Sequence, residues 1–321
     1  MTAPADTCQR RPLALVGNRL AALLILLVAL LLSGCGDEEK AIKVSLEKRQ
    51  EIAFRPKQPA ITYAYLPQYS NSESFQRHNQ LIEYLAAETG LPMRQVFPDT
   101  FDHHINMFGQ GKIDISFSNP FIYVKLANRF GAMAMTRIVE EDGRAEFRGQ
   151  IIVRKDNRLI RSLDDCRGKS WVAVDPSSAG GYLFPLGQFV DHGLTLRDFK
   201  QVVFSGGRQE NVILGVHAGL YDFGSIREGS LKVVADKIDV SQIAVIASSR
   251  WYPGWVYAWS PRLGKESADK IKGAMLKLDY ANNPRHREIL DAARFIGFIP
   301  SEDGDFDPIR ELSKKVNLDL E

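Results

Sequence analysis

The sequence predicts an α/β protein of two lobes with a hinged cleft between them. Three observations carry that expectation. Short apolar runs of strand-like composition alternate with helix-like segments across 61–139, and a second alternation runs across 170–225. Two further apolar stretches, near 150–156 and 243–249, are placed to take the chain out of the first set and back to it. Alternating strands and helices build a parallel sheet covered by helices, and the late return implies that the C-terminus completes the first lobe. The expected boundaries are 59–151 with 248–321 for lobe one and 152–247 for lobe two.

Taken in order, 61–66 (Ile-Thr-Tyr-Ala-Tyr-Leu) reads as a strand. Across 74–88, Phe75, Ile82, Leu85 and Ala86 fall on one side at helical spacing, and Gly90 ends the helix. Strands at 93–97 and 112–118 flank a short helix at 101–108 that stops near Gly109 and Gly111. Pro120 opens a helix to Arg129, at the first turn where its missing N–H costs nothing. A strand at 133–139, a turn at Glu141-Asp-Gly-Arg144 and a strand at 151–154 complete the first alternation. The second comprises strands at 170–174, 201–204 and 221–225, with helices at 182–192 and 209–218. A strand at 243–247 and an amphipathic helix at 265–280, ended by Ala281-Asn-Asn-Pro284, follow. The sheets are expected to be mostly parallel.

The N-terminus has a different character. Arg10, Arg11 and Arg19 precede thirteen uncharged residues, 20–32, and then Leu32-Ser-Gly-Cys35. Thirteen residues span a hydrocarbon core of about 30 Å poorly but suit a signal peptide's apolar region. The following residues resemble the bacterial lipobox, whose cysteine is lipidated and becomes the first residue of the mature chain. The reading is a signal peptide at 1–34, a lipidated Cys35 and a charged tether at 35–58.

Removing 1–34 takes three Arg and one Asp from totals of 41 basic and 39 acidic residues, leaving 38 of each. Nucleic-acid binding draws on a basic surface, so no nucleic-acid partner is expected. Of three cysteines, Cys8 leaves with the signal and Cys35 takes lipid. Cys166 is then unpaired; with no nearby His it reads as a half-buried packing residue rather than a nucleophile. The histidines, adjacent His103 and His104 among them, lack metal-ligand spacing on one element. Surface or cap roles are expected for them, and no metal or cofactor. No Gly-x-Ser-x-Gly elbow, phosphate-loop lysine motif or Cys-x-x-Cys occurs, so an enzyme is not expected.

The chain is organised around Asp175-Pro-Ser-Ser-Ala-Gly-Gly-Tyr-Leu-Phe-Pro185. This small-residue loop joins a strand to a helix. Free backbone N–H groups and the helix dipole make such a junction a candidate anion pocket. Ser and Gly are equally the residues of a simple N-cap. The Ser118-Asn-Pro120 helix start is expected to line the same cleft.

Five stretches together resemble the phosphate/phosphite/phosphonate-binding proteins of ABC importers. They are Gly111-Lys-Ile-Asp-Ile115, Val153-Arg-Lys-Asp156, 163–169, 175–185 and 214–222, and the similarity runs over 61–309. The resemblance implies the type II periplasmic binding protein fold, a small anionic ligand, ABC permease and ATPase partners, a monomer, and a periplasmic or cell-surface location through the lipid anchor. In family members that bind aminophosphonates, the phosphonate sits on a Ser-Thr-Ser-Gly run, which falls here at Ser178, Ala179, Gly180 and Gly181. Two cleft tyrosines fall at Phe101 and Phe147, which by sequence alone read as core. A histidine falls at Arg208 or Gln209, and Arg208 would supply a bidentate anion contact. One carboxylate that holds the ligand amine falls at Glu228, and the other at Trp255. The pattern points to a phosphorus oxyanion or a phosphonate with an apolar substituent. The alternative is a sensor lipoprotein of the same fold that signals to a membrane kinase or cyclase.

Overall fold

The computed structural model describes residues 59–320; the signal peptide, Cys35 and the tether lie outside the described residues. Among the described residues thirteen strands occur: β1 (Ile61–Tyr65), β2 (Met93–Val96), β3 (Ile115–Ser118), β4 (Met133–Val139), β5 (Glu146–Phe147), β6 (Gly149–Arg154), β7 (Ser170–Ala173), β8 (Gln201–Phe204), β9 (Phe223–Arg227), β10 (Ile243–Ser248), β11 (Tyr252–Pro253), β12 (Val256–Trp259) and β13 (Gly297–Pro300). The α-helices are α1 (Asn71–Thr89), α2 (Phe101–Gly109), α3 (Pro120–Phe130), α4 (Phe184–Asp191), α5 (Gln209–His217), α6 (Lys265–Leu276), α7 (Pro284–Ala293) and α8 (Asp307–Lys315).

Two sheets form. One has the order β13-β4-β12-β3-β1-β2 and the other β10-β6-β9-β7-β8. The first draws only on 61–139 and 256–300, and the second on 149–248. In each sheet the expected parallel arrangement holds for the early crossovers alone. β1 runs parallel to β2 and β3, and β7 runs parallel to β8 and β9. The returning strands β12 and β13, and the pair β6 and β10, enter antiparallel. Both sheets are therefore mixed, because the chain must cross between them and come back.

Local chemistry explains the element ends. Ser70 Oγ caps α1 by accepting from the Glu73 amide, and Gly90 closes it in the left-handed region at φ 69°. Asn119 caps α3 through bonds from the Phe121 and Ile122 amides, with Pro120 in the first turn. Phe75 departs from expectation. It is 47% exposed, and α1 turns Ser74, His78, Leu81, Ile82 and Leu85 to the interior instead. The helix expected at 182–192 begins earlier as a π turn over Ala179–Leu183 before α4, and α6 stops at Leu276 rather than 280. Strands β5, β11, β12 and β13 and helices α7 and α8 carried no sequence expectation.

Aromatic residues fill the interior beneath each sheet. Phe117 stacks on Tyr257 at 4.2 Å between ring centres in the first. Trp171 meets Phe223, Phe189 and Phe199 in the second. On the other face of the second sheet, Ile152, Val172 and Val174 pack against Val212, Ile213 and Val216 of α5. Cys166 is fully rather than half buried. His104 is also interior, not at the surface: it bonds Ser116 Oγ at 2.7 Å, whereas His103 is exposed and accepts from the Asp99 amide.

Candidate functional site

The carboxyl ends of the parallel strands of both sheets face one another, the position where open α/β sheets place their ligands. They meet in two ways. At the centre, the ends of β3 and β7 touch: Asn119 Nδ2 donates to the Ser177 carbonyl at 3.3 Å, and Lys125 Nζ of α3 donates to Ser177 Oγ at 2.8 Å. Burial lowers the Lys125 pKa and raises that of Asp175, which shares the loop with Ser177. To one side, beyond β1, β4, β8 and β9, the sheets part around a cavity of about 890 Å³.

Ten residues were expected at the ligand, and the structure divides them. Phe147, Arg208, Gln209, Glu228 and Trp255 line the cavity; Phe101, Ser178, Ala179, Gly180 and Gly181 are not among its lining residues. The loop lies behind Phe147. A Cβ built on Gly180 would stand 2.8 Å from Phe147 Cε2 and 3.1 Å from Arg227 Cβ, so the missing side chain lets both pack directly on the loop. Ser178 Oγ accepts from the Gly181 amide at 3.1 Å, and the Ser178 amide is itself taken by the Asp175 carbonyl. The cap reading of this stretch thus describes its local bonding. Phe101 is 1% exposed, and its ring stands 3.2 Å from where a Cβ on Gly207 would be.

The cavity wall is aromatic and highly charged. Tyr65, Phe117 and Trp255 pack together with ring centres 5.2–5.7 Å apart. Eight carboxylates and six basic side chains line the space. Four of the six bases are paired with carboxylates. Arg227 Nη2 donates to Glu140 at 2.5 Å across the two sheets, and Lys237 meets Glu210 at 2.7 Å. Arg294 lies 3.6 Å from Glu73, and Lys232 lies 4.0 Å from Glu141. Among the described residues Arg77 and Arg208 have no carboxylate within 4.0 Å; Arg77 comes from the first half and Arg208 from the second. Glu228 is occupied otherwise: Arg148 donates to its Oε1 through Nε and Nη2, and Gln150 adds a third bond. Gln209 Oε1 accepts from the Arg227 amide at 2.9 Å. Sequence reasoning missed Arg77, Tyr65 and Arg227. The adjacent Arg77-His78 pair carries no motif, and only the fold brings α1 to this wall.

Among the described residues, no helix is long and apolar enough to cross a membrane, and no group of three or more His, Cys, Asp or Glu is placed to hold a metal ion. A family model described as "ABC transporter, phosphonate, periplasmic substrate-binding protein" matches residues 63–306. The chain belongs to this family. The phosphate-import protein PhnD of Mycolicibacterium smegmatis is 26% identical over 305 residues, covering 89% of this chain and 92% of its own. Solved structures share the fold. The binding-protein component of a Pseudomonas aeruginosa ABC phosphonate transporter superposes with a TM-score of 0.70 at 20% identity, over 79% of this chain and 85% of that one. Prochlorococcus marinus PhnD1, in complex with methylphosphonate, superposes with a TM-score of 0.71 at 18% identity, over 80% and 98%. Family membership accounts for the type II periplasmic binding protein fold, and the family is a substrate-binding transport component.

Proposed function

We propose that this protein is the extracytoplasmic binding lipoprotein of an ABC importer, and that it holds a small phosphorus oxyanion (phosphate, phosphite or a phosphonate) in the cavity between the two sheets. The single observation that carries the ligand class is Arg208. It is a guanidinium without a carboxylate partner among the described residues, on the wall of that cavity beside Phe147 and Gln209. A free guanidinium presents a planar fork of donors that fits two phosphoryl oxygens. Phe147 and Trp255 would contact the organic part, where an unpaired amine or hydroxyl is penalised. Glu228, neutralised by Arg148, serves as wall. The loop 178–181 acts from behind Phe147, through the positive end of the following helix, rather than by touching the anion. The two sheets are the cores of lobes 59–151 with 248–321 and 152–247, which close on the ligand. Residues 1–34 are the signal, and lipid on Cys35 holds the protein at the membrane.

Calorimetry of the full chain with phosphate, phosphite, methylphosphonate and 2-aminoethylphosphonate tests this. At least one non-aminated ligand is expected to bind. Arg208→Ala should weaken it tenfold or more, by ~1.5–3 kcal/mol for a charged hydrogen bond, and Ser178→Ala much less. A larger loss in Ser178→Ala would place the anion on the loop itself. Preference for the aminated ligand would overturn the assignment of Trp255. Intact-mass analysis of the membrane form tests Cys35, which should carry lipid. Binding without permease-dependent uptake would make the protein a sensor.

A further inference from the structure

The proposed phosphorus site leaves part of the same cavity unexplained. Arg77, on α1, is half-buried. It donates from Nη1 to Tyr65 Oη at 3.3 Å and from Nη2 to the Ala293 carbonyl at 3.1 Å. Its guanidinium lies over the Tyr69 ring at 4.7 Å and the Tyr65 ring at 5.4 Å. None of these neighbours carries a formal negative charge. Glu73, one helical turn earlier, is engaged with Arg294. Arg77 Nε is buried without a hydrogen-bond partner. The same holds for Trp255 Nε1, on a side chain only 3% exposed. Tyr65 joins the two, bonded to Arg77 and packed edge-on against Trp255 at 5.7 Å.

A half-buried cation with no carboxylate within 4.0 Å among the described residues, its nearby Glu73 shared with Arg294, and linked through Tyr65 to a buried donor without an acceptor, is costly in an unliganded wall. Both deficits are of one kind: each lacks an acceptor, and one lacks negative charge. A carboxylate or second phosphoryl group meets both, because it accepts from several donors and neutralises the guanidinium. A neutral alkyl group meets neither. The cavity is also far larger than one oxyanion needs; its volume of about 890 Å³ falls in the range of sites for whole organic ligands.

We propose that Arg77, with Trp255 Nε1 and against the Tyr65 ring, forms a second oxyanion subsite, so that the ligand is a phosphorus compound whose substituent ends in a carboxylate or another oxyanion. This rests on the reading that the phosphorus group itself binds in this cavity. The two ends of the ligand are then held by guanidiniums from different halves, Arg77 on α1 and Arg208 at the start of α5. Such a ligand bridges the halves in a way that phosphate cannot. The aromatic wall between the ends suits a short carbon chain.

The test is calorimetry of the full chain with two matched series. One is phosphonoacetate, 3-phosphonopropionate and 4-phosphonobutyrate; the other is methyl-, ethyl- and propylphosphonate. At least one acid should bind more than tenfold tighter than its alkyl match. Arg77→Gln should bring that ratio close to one, and Trp255→Phe, which deletes only a donor, should reduce it less. Thermal melting of both variants near the wild-type temperature guards against misfolding. If the alkyl series binds as tightly as the acids, or both variants leave the ratio intact, the second subsite is overturned while the phosphorus site stands. Glutarate separates the remaining cases. Glutarate binding that depends on Arg77, with no phosphorus compound bound, would keep the subsite and overturn the phosphorus reading. No binding of any compound would overturn both.

Discussion

Lys125 Nζ donates to Ser177 Oγ at 2.8 Å, so a helix beside the six-stranded sheet holds the loop that follows β7 of the other. Burial lowers the lysine's pKa, and its remaining charge is favoured by Asp102 and Asp175. Ser177→Ala leaves a desolvated ammonium without that acceptor and should cost about 1–3 kcal/mol. Lys125→Met removes charge and bond together and should cost less. Urea denaturation of both variants decides this; a neutral Ser177→Ala, or a costlier Lys125→Met, would count against the clasp.

The contact between Gly180 and Phe147 gives a second prediction. A Cβ at Gly180 would stand 2.8 Å from Phe147 Cε2, closer than packed carbon atoms allow. Gly180→Ala must therefore push the ring off the loop, and overpacking of this kind typically costs about 1–3 kcal/mol. In a Phe147→Leu background the same change should be much cheaper, because the obstructing ring edge is gone. Additive effects in the double variant, read from melting temperatures, would exclude a direct clash.

His104 predicts a dependence on pH. Burial first, and the neighbouring His103 charge second, lower its pKa from 6.5 to about 3. His78, fully buried and bonded to the Tyr63 hydroxyl, is shifted in the same direction. Below about pH 6.5 the unfolded chain takes up protons that the folded protein refuses. The His104 contribution should be fully present above that pH and decline as pH falls towards 3, by on the order of 1.4 kcal/mol per pH unit, and His78 acts in the same direction. Urea midpoints at pH 7, 5.5 and 4 should fall in turn, and His104→Gln should flatten part of the slope. A constant midpoint between pH 7 and 4 would exclude this role.

Cys166 should behave as an inert thiol. Burial raises its pKa to about 12, reinforced by Asp165 and Asp164, and its Sγ lies 3.8 Å from the Ser162 carbonyl. The thiolate is the reactive form. A thiol reagent at pH 8 should label the native protein orders of magnitude more slowly than the urea-unfolded one. Comparable rates would mean that the site opens readily.

The early crossovers were legible because each sits between strong signals. Ser70 and Gly90 bracket α1, and Asn119-Pro120 starts α3. The late part was not. Val256–Trp259 is short and follows Trp251-Tyr-Pro-Gly-Trp255, so its strand character depends on the two neighbours, β3 and β4, that the fold supplies. Phe75 shows the limit of spacing. It matched the apolar side on a coarse count, yet the helix turns His78 inward, where the Tyr63 hydroxyl bonds its Nδ1. On the cavity wall, Phe147, Arg208 and Trp255 had been expected through resemblance, whereas Arg77 was invisible. An arginine on an amphipathic helix looks like solvent-facing charge until its neighbours are known.

The two-residue strands β5 and β11 are easily passed over, yet they lie on the two connections that carry the chain between the sheets, and they pair antiparallel, Phe147 opposite Tyr252. Arg144 and Arg148 on one connection lie over Trp251 on the other, at 4.4 and 4.6 Å. Two covers joined by one thread can swing and twist. Joined by two threads stitched side by side, they can still fold along the seam but resist torsion about it. Phe147 belongs to that seam and to the cavity wall at once, so a ring of the cavity is also a stitch in the spine.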